Sequence, residues 1–132
     1  MRCLLLPFSP NQPCFSDNSQ YRLEADFDVS VADLRQTYLP AFQSAVAPLD
    51  AGGAAARSVM CSYNSVNGIP ACAHPMLEST LRQEMGFDGF VVSDCGAIQW
   101  MGPWDGMGGH NYTSNLTESA ATGVSAGTDL CW

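Results

Sequence analysis

The sequence contains no lysine. Its five basic residues are all arginines, and against 13 acidic residues they give a formal net charge of −8 at pH 7. A nucleic-acid-binding surface needs clustered cations that neutralise phosphates, and an acidic surface is not attracted to anionic lipid. Apolar runs also fall short of the roughly 20 residues that cross a bilayer. We therefore expect no nucleic-acid partner and no membrane.

Histidine is almost as scarce, and the two histidines, His74 and His110, have no second metal ligand or nucleophile at a useful spacing. No cysteine spacing fits a zinc site, and the glycines of 106–109 lack the preceding strand of a nucleotide-binding fingerprint. The sequence therefore predicts no metal site and no cofactor.

Cysteine, by contrast, is abundant. Six cysteines and two Asn-X-Thr glycosylation acceptors, which start at Asn111 and Asn115, are typical of secreted proteins. We identify no signal peptide at the start of the chain, because Pro7 interrupts the first apolar residues. These features predict an extracellular location. The cysteines are Cys3, Cys14, Cys61, Cys72, Cys95 and Cys131.

Helical and strand-like segments are predicted to alternate along the chain. Residues 1–24 carry three prolines among polar residues and are predicted to be an irregular N-terminal segment, whereas residues 25–132 are predicted to fold. Pro40 predicts a kink or an early stop near Leu39. About three helices alternating with three strands indicate an α/β fold, either an open parallel sheet or part of a (β/α)8 barrel. The first helix is predicted to begin with Ser30 as its N-cap and to carry an apolar stripe at Val31, Leu34, Tyr38, Phe42 and Val46. The second has Pro75 in its first turn, an apolar stripe at Leu77, Leu81 and Met85, and Gly86 just past its end. The third runs from near Thr117 to Gly127. The strands are predicted at 58–62, at 89–93 and from Thr128, with a turn-rich loop at 63–68.

Two predicted strands end in side chains that could carry chemistry. Asp94 follows the apolar strand at 89–93, and Tyr63 follows the strand at 58–62, so both belong at the edge where parallel strands open onto a crevice. Asp94 could instead cap the next helix or fix the turn, and Tyr63 could be a buried ring with a solvated hydroxyl. Trp100 and Trp104 could stack on a sugar ring or hold down the glycine-rich loop.

Several consecutive blocks of this sequence closely resemble enzymes of glycoside hydrolase family 3. The blocks are SVMCSYNSVNGIPAC at 58–72, GFDGFVVSDCGAI at 86–98 and AGTDL at 126–130, together with matches at 33–34, 38–43 and 81–82. The resemblance covers about residues 25 to 130 in the right order. It implies that residues 25–132 are the C-terminal part of the family's N-terminal (β/α)8 barrel domain.

The resemblance also implies roles for four residues. Asp94 resembles the nucleophile of a retaining β-glycosidase, and Tyr63 and Met60 resemble residues that line the subsite of the non-reducing sugar. Cys95 follows the nucleophile, where the family's β-xylosidases and arabinofuranosidases usually have cysteine and its glucosidases usually have tryptophan. This implies a β-xyloside or related oligosaccharide as substrate.

The same resemblance implies two disulfides, Cys61–Cys72 and Cys95–Cys131, and assigns no partner to Cys3 or Cys14. It further implies that the other half of the barrel, a Lys-His block that grips the sugar and the acid/base domain lie outside these 132 residues. None of the four glutamates is a convincing proton donor; they are Glu24, Glu78, Glu84 and Glu118.

The resulting hypothesis is a fragment of a secreted enzyme that hydrolyses xylo-oligosaccharides and xylan. The alternatives are an inactive remnant, or a small secreted carbohydrate-binding or interaction protein. Within enzymes, the alternatives are an α-L-arabinofuranosidase or a β-glucosidase.

Overall fold

The computed structural model describes residues 3–5, 23–103 and 108–131. Within these ranges the chain has an α/β fold, and β1, β3 and β6 form a sheet in that order with both pairs parallel. Parallel pairing requires a crossover between the strands, as the predicted alternation of helices and strands implies. The strands are β1 (Cys3–Leu5), β2 (Asp26–Phe27), β3 (Ser58–Cys61), β4 (Ser65–Val66), β5 (Ile69–Pro70) and β6 (Phe90–Ser93).

The register of β3 and β6 brings the ends of these two strands level. Ser58 pairs with Phe90 and Cys61 pairs with Ser93, so both strands end at the same edge of the sheet. The two predicted strands are thus confirmed to within one residue. The third predicted strand is reduced to a single parallel bridge between Leu130 and Val92.

The N-terminal segment differs from the prediction. We expected residues 1–24 to be irregular, but Cys3–Leu5 forms β1 and pairs with residues 58–60 of β3. Three apolar residues before a proline give too short a pattern to identify a strand, and the pairing partner lies more than 50 residues away. The expectation was wrong for these three residues.

A second, smaller sheet follows β3. β4 and β5 form an antiparallel hairpin, and β2 pairs with β4 in parallel. Asn67 and Gly68 make the hairpin turn with φ values of 51° and 80°, the left-handed conformation that an Asn-Gly pair adopts most readily. The Asp26 carboxylate accepts a hydrogen bond from the Gly68 N–H at 2.9 Å. This hairpin gives a fixed shape to the segment that the sequence suggested was a turn-rich loop.

The first helix, α1, is α-helical at Val31–Asp33, π-helical at Leu34–Tyr38 and α-helical again at Leu39–Val46. The Ser30 hydroxyl accepts from the Asp33 N–H at 3.0 Å, which confirms the predicted N-cap. The helix does not stop near Pro40. A π-helical turn precedes it, and the proline occupies the first turn of the second α-helical part, where its missing N–H costs least.

The described residues contain three further α- or π-helices, namely α2 (Leu77–Glu84, π-helical), α3 (Ala97–Trp100) and α4 (Leu116–Ala126). Short 3-10 helices lie at Leu49–Ala51 and Ala71–Ala73. α2 and α4 correspond to the two later predicted helices. Gly86 and Gly127 follow their ends with φ values of 69° and 109°, as glycine allows. α4 is capped by Asn115, whose side chain accepts from the Glu118 N–H at 3.0 Å.

The hydrophobic core lies between the parallel sheet and helices α2 and α3. Val59 and Val91 are fully buried at the centre of β3 and β6. Helix side chains on the predicted stripe, including Leu77 and Leu81, pack against them. Val31 was expected on the buried stripe of α1 but is 71% exposed, because that stripe reaches the core only in its second half. Among the described residues, no helix is both long and apolar enough to cross a membrane.

Candidate active site

Asp94 lies immediately beyond the end of β6, next to the end of β3. Its backbone N–H donates to the carbonyl of Cys61 at 2.9 Å, so the parallel pairing continues one residue past the strand. Gly96 then adopts a φ of 76°, which turns the chain into α3. The residue that caps α3 is Gly96, not Asp94. The alternative role of Asp94 as the cap of the next helix is therefore wrong. Its carbonyl does accept from the Ala97 N–H at 2.9 Å, so Asp94 also helps to fix the turn, as the other alternative predicted.

The Asp94 carboxylate is half-buried and is held at one oxygen. Oδ1 accepts a hydrogen bond from the Cys95 backbone N–H at 2.7 Å. Among the described residues, no donor is bonded to Oδ2. A carboxylate with one oxygen fixed and the other available can attack an electrophilic carbon.

Tyr63 contacts the residue that follows Asp94. Its ring is half-buried, and its hydroxyl donates to the backbone carbonyl of Cys95 at 2.6 Å. The structure thus brings together the tyrosine after β3 and the segment after β6, as their shared sheet edge predicted. Met60 lies in β3, opposite Val92, and is half-buried. Its role in binding sugar stays a prediction.

The structure contains the predicted disulfide between Cys61 and Cys72. Both residues are buried, and the bond closes the segment of chain that carries Tyr63 and the hairpin. The Thr128 hydroxyl donates to the Cys72 carbonyl at 2.9 Å, and this hydroxyl also lies 3.7 Å from the Cys61 sulfur. The base of the Tyr63 segment is therefore fixed covalently and by hydrogen bonds.

The second predicted disulfide is absent. Cys95 and Cys131 are both free thiols, and both are exposed. Leu130 pairs with Val92, so Cys131 lies level with Ser93, two residues short of Cys95. Regular strand spacing puts the Cα atoms of such positions roughly 8 Å apart, beyond the roughly 7 Å that a disulfide spans. The prediction of this pair from the family resemblance was wrong for this structure.

His110 is a site residue that the sequence did not identify. Its Nε2 lies 2.7 Å from the Tyr63 carbonyl and its Nδ1 lies 3.0 Å from the Ser65 hydroxyl. A histidine in a glycine-rich loop, 47 residues from its partner, gives no local signal of this contact. His74 is unrelated to the site contacts: its Nδ1 accepts from the Met76 N–H, and burial lowers its pKa.

Two of the glutamates are held as anions on the helix surfaces. The pKa of Glu84 is lowered by its hydrogen bonds from the Arg35 guanidinium, at 2.9 and 3.0 Å. The pKa of Glu118 is lowered by the Ser114 N–H, which donates to its carboxylate at 2.7 Å. Glu78 lies 3.8 Å from Arg82 in an ion pair. None of these three carboxylates has the environment of a proton donor.

The remaining candidates are surface or packing residues. Asn111 and Asn115, the two glycosylation acceptors, are exposed. Trp100 is only 8% exposed, which favours its role in packing over stacking on a sugar. Trp104 and Cys14 lie outside the described residues.

Residues 18–132 match the N-terminal domain of glycosyl hydrolase family 3. The chain is 46% identical over 119 residues to a probable exo-1,4-β-xylosidase of Aspergillus clavatus. The aligned region covers 86% of the chain and 14% of that protein. It is 37% identical over 113 residues to an exo-1,4-β-xylosidase of Emericella nidulans.

The chain is also similar to solved structures of glycosidases. A family 3 exo-β-xylosidase in complex with a xylobiose aziridine activity-based probe is similar with a TM-score of 0.69 and 39% identity, over 83% of this chain and 13% of that one. A β-glucosidase from Listeria innocua is similar with a TM-score of 0.64 and 33% identity, over 80% of this chain and 13% of that one.

The chain spans about one seventh of the length of these relatives. The matched range includes the two strand ends that carry Tyr63 and Asp94. The chain therefore belongs to glycoside hydrolase family 3, and its residues 18–132 are part of that family's N-terminal domain.

Proposed function

We propose that this chain carries the nucleophile of a retaining glycoside hydrolase that releases β-linked xylose from xylo-oligosaccharides and xylan. The observation that supports this most directly is the Asp94 carboxylate, which lies at a strand end with Oδ1 held by the Cys95 N–H. Beside it, the Tyr63 hydroxyl bonds the carbonyl of the same cysteine. The carboxyl ends of parallel strands are where such enzymes assemble their sites.

The reaction that we infer has two displacements. Oδ2 of Asp94 attacks the anomeric carbon, a carbon–oxygen bond to the enzyme forms, and the glycosidic bond breaks with its electrons going to the leaving oxygen. A general acid protonates that oxygen. Water then attacks the same carbon, gives its proton to the acid's conjugate base and releases xylose, which restores the carboxylate.

The acid in this scheme needs a pKa raised to near the working pH. The pKa values of Glu84 and Glu118 are shifted in the opposite direction, so neither is suited to this role. We infer that the acid/base comes from a part of the enzyme outside this chain, as does the rest of the (β/α)8 barrel to which β1, β3 and β6 would belong. The chain's small share of its relatives' length supports this inference.

A preference for pentosides is supported by similarity to exo-xylosidases and by the identity of Cys95. A pentose lacks the hydroxymethyl group of glucose. A pocket that is narrow at that position would therefore bind xylosides and exclude hexosides.

The test is covalent capture of the nucleophile with dinitrophenyl 2-deoxy-2-fluoro-β-xyloside. Dinitrophenolate leaves without being protonated, so the missing acid does not limit the first step, and the fluorine slows hydrolysis of the ester. We expect intact-mass analysis to show one fluoroxylosyl adduct per chain, and peptide mapping to locate it on Asp94. The corresponding fluoroglucoside should react more slowly.

Two variants make this test specific. Asp94→Asn should form no adduct. Asp88→Asn is the matched control, because Asp88 precedes β6 at the opposite end of the strand and forms an exposed ion pair with Arg57. An adduct on any residue other than Asp94, or none in a folded wild-type chain, would contradict the proposal.

A second candidate is a carbohydrate-binding protein without turnover. It is favoured for the isolated chain because no described glutamate is hydrogen-bonded to Asp94 or Cys95, and a proton donor would need to lie near these residues. Binding of xylobiose measured by calorimetry, without release of dinitrophenolate from the fluoroxyloside, would support this candidate over the enzyme.

We also propose that the protein is extracellular. A buried disulfide persists in oxidising compartments and is rare in the cytosol. If the proposal is correct, expression through a eukaryotic secretory pathway should give protein whose mass falls on treatment with N-glycosidase. Replacement of Asn111 and Asn115 together should abolish that change.

A further inference from the structure

We propose that His110 is a positioning residue that holds Tyr63 in register with the Asp94 segment. This rests on the proposed roles of Asp94 and Tyr63. The Tyr63 carbonyl accepts hydrogen bonds and cannot donate them, so His110 Nε2, at 2.7 Å, must carry the proton. Nδ1 is then free to accept from the Ser65 hydroxyl at 3.0 Å. The imidazole thus binds both sides of the turn that presents Tyr63.

The backbone of His110 is anchored to the other side of the site. Its N–H donates to the Trp100 carbonyl at 2.8 Å, and the Tyr112 N–H donates to the Met101 carbonyl at 2.7 Å. Trp100 is the last residue of α3, which begins three residues after Asp94. Through these bonds, His110 belongs structurally to the segment that carries the carboxylate.

Tyr63 is therefore held at both ends by that segment. Its carbonyl is bound by the His110 ring, and its hydroxyl donates to the Cys95 carbonyl at 2.6 Å. Loss of the imidazole would leave the hydroxyl bond and the neighbouring backbone bonds in place but remove the contact that fixes the Tyr63 carbonyl. Displacement of a site group by about 1 Å can lower a rate by up to 100-fold.

The experiment records the NMR signal of the Tyr63 ring without substrate, and then the rate of adduct formation with substrate. The chain is labelled with ¹³C on the tyrosine rings, and the Tyr63 signal is assigned from a Tyr63→Phe variant. The test variants are His110→Ala and His110→Gln, whose amide can donate to the same carbonyl. Tyr112→Ala is the matched control, because this neighbouring ring is 44% exposed and its backbone bond does not depend on the side chain.

We expect His110→Ala to shift or broaden the Tyr63 signal and to slow formation of the fluoroxylosyl adduct by roughly 10- to 100-fold. His110→Gln should restore the signal and bring the adduct rate to within a few-fold of wild type, and Tyr112→Ala should leave both unchanged. If His110→Ala does not fold, Ser65→Ala, which removes the Nδ1 partner, should give a smaller shift in the same direction.

An unchanged Tyr63 signal in folded His110→Ala would overturn the proposal. An adduct rate that falls equally in His110→Ala and His110→Gln would also overturn it, because rescue requires a restored donor. A wild-type chain that forms no adduct would count against the proposed function alone, since the Tyr63 signal is measured without substrate.

Discussion

Replacing Cys61 and Cys72 together with alanine removes the disulfide that closes the Tyr63 segment. The cysteines are separated by 11 positions, and the chain-entropy relation for a loop of that size gives about 3 kcal/mol of stabilisation. For a chain of 132 residues, an unfolding entropy of about 2.1 cal/mol/K per residue converts this to a fall in Tm of roughly 10 °C. The segment around Tyr63 should also gain mobility, because its two ends are no longer joined covalently.

The assay is urea unfolding followed by tryptophan fluorescence, with and without dithiothreitol. Reducing agent should lower the midpoint of the wild-type chain and leave the double variant unchanged. If the reduced wild-type chain and the double variant unfold at the same urea concentration, the lost stability comes from the disulfide bond and not from the buried sulfur atoms. A Cys95→Ala, Cys131→Ala double variant is the control, since both thiols are free and exposed and their loss should cost under about 0.5 kcal/mol.

One result would refute this reasoning. If the Cys61→Ala, Cys72→Ala chain unfolds at the same urea concentration as the oxidised wild type, closure of this loop does not stabilise the fold. The same conclusion would follow if the control variant lost as much stability as the test variant.

Three further predictions concern stability. Asp129→Asn should lower the free energy of unfolding by about 1 to 2 kcal/mol in urea titrations, because Asp129 accepts from the largely buried Arg82 at 2.6 Å; an unchanged midpoint would contradict this. Asn115→Ala should cost about 1 kcal/mol through loss of the α4 cap, and Asn115→Ser should recover most of it. The lowered pKa of Glu84 means that its bond with Arg35 stabilises the fold above the ordinary value of 4.5, and that this contribution is lost as pH falls through the lowered pKa. An Arg35→Ala chain should therefore show a weaker loss of stability in acid titrations as the pH falls below 4.5.

Local signals in the sequence predicted the elements that position the site. A short apolar run followed by a carboxylate predicted both β6 and the position of Asp94 at its end. Ser30 with Asp33, and the glycines after α2 and α4, marked helix ends that the structure contains. Tyr63 and Asp94 could be placed at one edge because parallel strands present all their carboxyl ends together.

Other features depend on partners that are distant in sequence. The π-helical turn in α1 preserves an apolar stripe, so periodicity alone does not distinguish it from an α-helix. β1 is three residues long and is defined by its pairing with β3. The contacts of His110 join a glycine-rich loop to a turn 47 residues earlier, and no local pattern reports such a contact.

The contacts that hold Asp94 and Tyr63 together use the backbone of Cys95 and not its side chain. Its N–H binds the Asp94 carboxylate and its carbonyl accepts from Tyr63. The side chain at this position can therefore change without moving either group, which would let it adjust sugar preference separately from the chemistry. We expect Cys95→Ala to form the fluoroxylosyl adduct within about threefold of the wild-type rate, which is under 1 kcal/mol. Cys95→Pro, which removes the N–H, should slow the same step by at least tenfold. A Cys95→Ala rate as low as that of Cys95→Pro would show that the thiol itself takes part.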